Sequence, residues 1–264
     1  LKKISIFERK SPKNMKNRAF IFVLSAAFAV VCIVIFSLLP VGSCQNTSNS
    51  SPMKPETFPK DEIALPSPRL VGSMSIEEAL HKRRSIRNFQ DRSLSLEDAS
   101  QLLWSAYGVT YVSASGREYK TAPSAGATFP LEIYLLAGKV DGLVAGLYKY
   151  NPTSHSLIPV REGDIRSDVS KACLGQKMLA EAPLSLIFSA VYKRTTDRYG
   201  KRGEDRYVCM DLGHSAQNVY LQATAMGMGT CAIGAFDDEQ LEKLLQFPKE
   251  EKILYLMPVG FEKK

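Results

Sequence analysis

From Asp205 to about Met226, the apolar residues Val208, Leu212, Ala216, Val219, Ala223 and Met226 recur at helical spacing. A stripe of that length lies along one side of a single helix and has to be covered, either by a core or by a second subunit. Whatever this chain folds into must be built against that helix. The rest of the pattern alternates strands with helices. Ser75-Ile76-Glu77-Glu78 has the form of a capping box, predicting a helix to about Lys82. Ser95-Leu96-Glu97-Asp98 repeats the form, and Leu96, Ala99, Leu103 and Ala106 follow at helical spacing. Leu131–Ala137 alternates and then turns apolar, as a strand does. Segments 146–152 and 156–160 read as a hairpin, and Leu184–Val191 as a central strand. Asp237-Asp238-Glu239-Gln240 opens a helix through Leu245, and Ile253–Val259 reads as a last strand. Tyr107–Ala122 is polar with several small residues and reads as a loop. Separated strands and helices of this kind indicate an α+β or three-layer fold.

Charge divides the chain into three parts. Of a formal net charge of +7, residues 1–18 carry +6, residues 19–70 balance, and the remaining 194 residues carry only +1. The basic isoelectric point therefore does not argue for nucleic acid, which needs Lys and Arg gathered on a folded face. Ala19–Val41 is an uncharged run broken only by Ser25 and Ser37, long enough to span a bilayer. Bases before such a run favour a cytoplasmic N-terminus with the remainder exported. The run ends Leu39-Pro40-Val41-Gly42-Ser43-Cys44, which resembles a bacterial lipoprotein signal with Cys44 as the lipidated residue. Met15-Lys16-Asn17-Arg18 would be its compact charged start. A plain membrane anchor is the alternative. The expected organisation is a targeting segment at 1–44, a flexible tether at 45–70 rich in Ser, Asn and Pro, and a globular domain at 71–264.

Three elements in that domain carry candidate chemistry. Arg83-Arg84-Ser85-Ile86-Arg87 puts three guanidinium groups and a hydroxyl at a helix C-terminus, where rigid donor forks suit phosphate oxygens. A solvated helix end with surface ion pairs is the bland reading of the same residues. Pro123-Ser124-Ala125-Gly126-Ala127-Thr128 is small enough to let a ligand approach the backbone, or to form a tight turn. Cys231-Ala232-Ile233-Gly234-Ala235-Phe236 follows the long helix and offers backbone N–H groups, or is an ordinary connection. His81, His155 and His214 have neither metal-ligand spacing nor a Ser or Cys partner, so no metal site and no hydrolytic triad is expected. Cys173, Cys209 and Cys231 read as buried small hydrophobes.

In this order the three elements resemble the flavin-dependent nitroreductase superfamily, and more closely its SagB-type (thiazole/oxazole dehydrogenase-like) branch. The resemblance covers about residues 74–260. It rests on Arg-Arg-Ser-Ile-Arg-x-Phe from Arg83, Pro-Ser-Ala-Gly-Ala from Pro123, and Asp211 to Gly234 with its Met-Gly-x-Gly-x-Cys-x-Ile-Gly ending. It implies a three-layer α+β fold with a mainly antiparallel sheet between helices, in a homodimer that binds FMN at pockets shared across the interface. On that resemblance Arg83, Arg84, Ser85 and Arg87 would hold the phosphate, ribityl chain and pyrimidine end. Pro123, Ser124, Ala125 and Ala127 would form the loop that the partner places over the flavin. Gln176 falls near a position that contacts the ring or ribityl group, and Gly234 and Ala235 match the backbone near N5. Lys263 and Lys264 match a late basic pair loosely.

Two departures bear on this. Nitroreductases often have Asn and Gln where this chain has Ala127 and Phe129, so side-chain donors to the flavin are fewer. Azoline-oxidising relatives use a Lys-Tyr pair as acid and base, but the Lys149-Tyr150 dipeptide lies in the expected hairpin. The resemblance implies flavin redox chemistry with no protein nucleophile, between a reduced donor (a nicotinamide nucleotide or quinol) and a small organic acceptor. Two other functions stay open: a membrane-tethered flavin-binding protein without turnover, and an azoline oxidase acting on a modified peptide.

Overall fold

The computed structural model describes residues 58–264. The basic segment, the apolar run, Cys44 and the first part of the tether lie outside the described residues. Among those described, no helix is long and apolar enough to cross a membrane.

A seven-stranded sheet organises the domain. Its strands are β1 (Ile63–Ala64), β4 (Leu131–Ala137), β5 (Gly146–Asn151), β6 (Ser156–Glu162), β7 (Leu184–Val191), β8 (Gly229–Thr230) and β9 (Glu251–Gly260), in the order β1-β6-β5-β4-β7-β9-β8. Every pairing is antiparallel. Strand β4 explains why helices cover both faces. Leu131, Ile133 and Leu135 point into one core, whereas Tyr134 and Leu136 point into the other. The two-residue period of a strand makes this division automatic when every position is apolar.

The first core is roofed by α2 (Leu96–Tyr107) and α6 (Val208–Ala225). The stripe Val208, Leu212, Ala216, Val219 and Ala223 is buried there against Leu186, Phe188 and Met257. The second core holds α3 (Arg166–Ala172), α4 (Met178–Glu181) and α7 (Asp238–Leu245), which bury Val169, Leu179, Leu241 and Leu245. Helices on two faces of one antiparallel sheet make the three-layer α+β architecture expected from sequence.

Local signals hold with two corrections. Ser95 and Asp98 form a reciprocal capping box at α2. At α1 (Ile76–Lys82) only half the box forms: Ser75 accepts the Glu78 N–H at 3.1 Å, while the Glu78 carboxylate pairs with Lys82 at 2.5 Å. The segment read as a loop from Tyr107 contains a second small sheet, β2 (Val109–Val112) paired with β3 (Glu118–Lys120). Tyr111, Val112 and Tyr119 are exposed on it, so no buried alternation marks the strands. The long helix also starts differently. Gly203–Tyr207 forms a π-turn, preceded by α5 (Lys193–Tyr199), and the α-helix begins at Val208.

Candidate functional site

Arg83 is the C-cap of α1, and the chain beyond it runs along the β8 edge of the sheet. Ser85 pairs with Thr230 as a parallel bridge, and the Ile86 N–H donates to the Thr230 carbonyl at 3.0 Å. Gly229 permits this approach: a Cβ there would lie 2.4 Å from Ile86. Phe89 then bridges to Glu262, and the Lys263 N–H donates to the Asn88 carbonyl at 3.0 Å. The basic cluster is thus stretched along a sheet edge, with Lys263 brought beside it. A cleft of about 710 Å³ opens there between Asn88, Lys139, Arg166, Glu181, Lys263 and Lys264.

The charges at this edge are of two kinds. In the cleft, Lys139 is paired with Asp91 and Arg166 with Asp164. Among the described residues, Arg83, Arg84, Arg87, Lys263 and Lys264 make no ion pair with a carboxylate. Arg84 instead donates to the carbonyls of His81 and Arg83, at 2.9 and 2.7 Å, which turns it back on the helix end. Arg83 lies over the Tyr220 ring, 5.3 Å from its centroid. Arg87 reaches the Cys231 thiol. Burial pushes that thiol up from its ordinary value, and the neighbouring guanidinium opposes the rise.

Tyr220, on α6, joins this cluster to the segment after β8. Its hydroxyl accepts the Ala232 N–H at 2.8 Å and lies 3.3 Å from Ser85 Oγ. Ile233 then pairs with Leu256 through two bonds of 2.8 and 3.0 Å. Gly234 rests over the Tyr255 ring, where a Cβ would sit 3.1 Å from a ring carbon. The Ala235 carbonyl accepts the Gln176 side chain at 2.9 Å. The second Gln176 bond, to the Cys173 carbonyl at 3.0 Å, employs the same amide nitrogen. Gln176 thus braces the Ala235 carbonyl through its amide nitrogen. Gly234 and Ala235 are exposed, and among the described residues no protein acceptor takes their N–H groups. Pinned, exposed backbone with unused donors, near unpaired cations, is a donor set that favours an anionic or electron-rich ligand.

The loop Pro123–Phe129 is not part of that cluster within one chain. Ser124 Oγ donates to Asp211 Oδ2 at 2.6 Å, and the Ala125 N–H donates to Oδ1 at 3.3 Å. Asp211 and Tyr220 are nine residues apart on α6, roughly 14 Å along a helix axis. The loop therefore meets the opposite end of α6 from the Arg cluster. Its backbone is strained, since Ala127 and Phe129 both take positive φ, 53° and 46°. Such residues cost about 1–3 kcal/mol each unless their surroundings over-determine them. Here they do. Thr128 bonds Ala125 and Thr195, Ser124 Oγ accepts the Phe129 N–H, and Arg194 and Arg198 donate to the Phe129 and Gly126 carbonyls at 3.1 Å.

The sequence marks Asp211 only as the start of the third motif, with no role, and gives no sign of Tyr220 or the pair Arg198–Tyr199. Tyr199 Oη stands 2.4 Å from where a Gly126 Cβ would lie, so the glycine makes room for the ring. Lys149 and Tyr150 are held by other partners. Lys149 is paired with Glu132 and Glu251, and the buried Tyr150 hydroxyl meets His155 Nδ1 at 2.9 Å. Cys209 is exposed, against expectation, whereas Cys173 and Cys231 are buried.

The fold has known relatives. The model of the nitroreductase family matches residues 80–261. A candidate nitroreductase of Methanocaldococcus jannaschii is 45% identical over 199 residues, covering 75% of this chain and 96% of that protein. A trifolitoxin operon protein of Rhizobium leguminosarum is 27% identical, over 75% of this chain and 58% of its own length. Among solved structures, a candidate nitroreductase from Ralstonia eutropha superposes with a TM-score of 0.67 at 30% identity, covering 80% of this chain and 94% of that one.

Proposed function

The chain belongs to the nitroreductase family, and on that footing we propose that it is an FMN-dependent oxidoreductase working as a homodimer. The observation that carries this reading is the joint at Tyr220. Tyr220 touches Arg83, Ser85 and the Ala232 N–H, two residues before Gly234, and among the described residues the Gly234 and Ala235 N–H groups have no protein acceptor. The donor set fits the cofactor in kind. Arg83, Arg87 and Lys263 suit a phosphate, Ser85 a ribityl hydroxyl, and the Gly234 backbone a ring edge held close to the chain. Bound there, the flavin supplies the electron transfer between a reduced donor and a small organic acceptor.

The protein's own residues have three tasks in this reading. The cations hold the anionic end. The Gly234 N–H strengthens its hydrogen bond as negative charge builds on the ring edge it faces. The Ser124–Phe129 loop, about 14 Å away along α6 in its own chain, would serve the partner's site, which makes the pocket a property of two chains. Ala127 and Phe129 bring no amide side chain to that loop, so its contacts with a ring would be backbone and apolar.

The test is FMN retention. Replacing Arg83 and Arg87 singly with Ala should weaken it by roughly 10- to 150-fold each, the range for losing one charge-assisted bond. Unchanged retention in both variants would reject the phosphate assignment. A second reading, oxidation of an azoline on a modified peptide, is favoured by the likeness to the trifolitoxin operon protein, although the chain spans little more than half of that relative. The ion-paired Lys149 and buried Tyr150 do not serve it. Attachment to a membrane through Cys44 or the apolar run remains part of the proposal and is tested by the mass of the Cys44→Ala chain.

A further inference from the structure

Asp211 is 2% exposed and has no ion-pair partner among the described residues. Both its oxygens are spent on one target: Oδ2 accepts the Ser124 hydroxyl at 2.6 Å, and Oδ1 accepts the Ala125 N–H at 3.3 Å. Ser124 Oγ, its proton committed to Asp211, is left to accept the Phe129 N–H at 2.9 Å. The carboxylate thereby fixes the direction of every bond in the chain Asp211–Ser124–Phe129, and with it a loop that holds two non-glycine residues at positive φ.

We propose that Asp211 is a positioning residue for the flavin site, acting through Ser124 to hold the Ser124–Phe129 loop in its strained shape while ionised and releasing it when protonated. The inference rests on the role given to that loop above. An ionised carboxylate is acceptor-only and takes one donor on each oxygen. A protonated carboxyl, or an Asn amide, brings a donor of its own into the pair, which weakens or reverses the bond to Ser124.

Buried carboxylates of this kind are an expense to the fold. Burial raises the Asp211 pKa above the ordinary carboxylate value, against the opposing effects of Ser124, Ala125 and His214. His214 lies one turn further on α6. On the neighbouring elements, Arg194 and Arg198 of α5 are held by the Phe129 and Gly126 carbonyls, and Lys120 of β3 lies over the Tyr107 and Phe129 rings. A raised carboxyl pKa means that the ionised form burdens stability, and the burden lifts as pH falls through the folded value. Stability and loop order should therefore move in opposite directions, which a purely structural residue would not do.

The experiment compares the full chain with its Asp211→Asn variant by amide hydrogen exchange without added flavin, corrected for intrinsic rates, alongside thermal unfolding. The proposal expects exchange at Ala125 or Phe129 to rise roughly 10- to 150-fold in Asp211→Asn, with the unfolding midpoint unchanged or higher. The unaltered chain should reach the same fast exchange once pH falls below the Asp211 pKa, and the variant should show no such step. Ser124→Ala is the second variant, and it should loosen Phe129 while leaving the Ala125 bond. Native protection at both amides in Asp211→Asn, or a fall in midpoint with uniform loosening of the domain, would overturn the proposal. These readings do not involve the cofactor, so a chain that refuses FMN defeats the oxidoreductase reading and leaves the exchange result to stand or fall alone.

Discussion

Tyr220 accepts the main-chain N–H of Ala232 at 2.8 Å, and through this one bond α6 sets the spacing between the basic sheet edge and the Gly234 segment. The same hydroxyl lies 3.3 Å from Ser85 Oγ. Tyr220→Phe should leave the Ala232 N–H without its acceptor, at about 1–3 kcal/mol. In a domain of this size each kcal/mol moves the unfolding midpoint by roughly 2–4 °C. Calorimetry with and without FMN checks this, and the loss should be larger with FMN present, because the residue aligns both halves of the proposed site.

Gly229 should tolerate no side chain. A Cβ there meets Ile86 Cβ at 2.4 Å, next to the backbone that carries Ser85 and Arg87. Gly229→Ala should cost about 1–3 kcal/mol, the usual range for overpacking, and should lower FMN retention by shifting the Arg cluster off the edge. Denaturant midpoints and flavin titration measure the two effects separately. Gly213 is the control, since a Cβ there meets nothing within 4 Å.

Lys120 should make stability rise with alkaline pH. Burial brings its amine down to about 8, against the pull of Glu132 and Glu118, and it sits 4.2 Å above the Tyr107 ring. The folded value is below the unfolded one, so between about pH 8 and the ordinary lysine value the unfolded chain binds more protons. Folding stability therefore increases across that window. Urea midpoints measured against pH should show the rise in the unaltered chain and its absence in Lys120→Met.

Glu251 should be the costliest single acid to remove. It is 5% exposed and accepts from Tyr134 and Lys149 at 2.8 Å and from Ser189 at 2.7 Å. Glu251→Ala strands the Tyr134 and Ser189 hydroxyls between strands β4, β7 and β9 and leaves Lys149 with Glu132 alone, at 3.2 Å. Breaking such a buried pair costs about 3–5 kcal/mol, and thermal unfolding would register it.

The elements legible in the sequence are those whose determinants are local. Ser95 and Asp98 announce the start of α2 within four residues, and Val208 through Ala223 announce α6 by period alone. Strands β4 and β7 stood out because both faces of the sheet are covered, so most positions are apolar, with Glu132, Ser185 and Ser189 the exceptions. The β2–β3 hairpin did not, since its tyrosines face solvent and its strands bury almost nothing. Helix α5 was hidden for the same reason: of Lys193–Tyr199 only Thr195 is buried. The site divided similarly. The Arg83 cluster and Gly234 could be picked out by residue type. The bonds that give them a shared geometry join residues far apart in the chain, such as Tyr220 to Ser85, 135 positions away, and no local pattern encodes them.

The most direct test of the whole account is the visible spectrum of the purified chain loaded with FMN, followed under anaerobic conditions on adding NADH, NADPH or a quinol. The account predicts a yellow protein, dimeric in solution, with the two flavin bands retained after gel filtration and bleached by at least one of these donors. A colourless protein that refuses added FMN would contradict it.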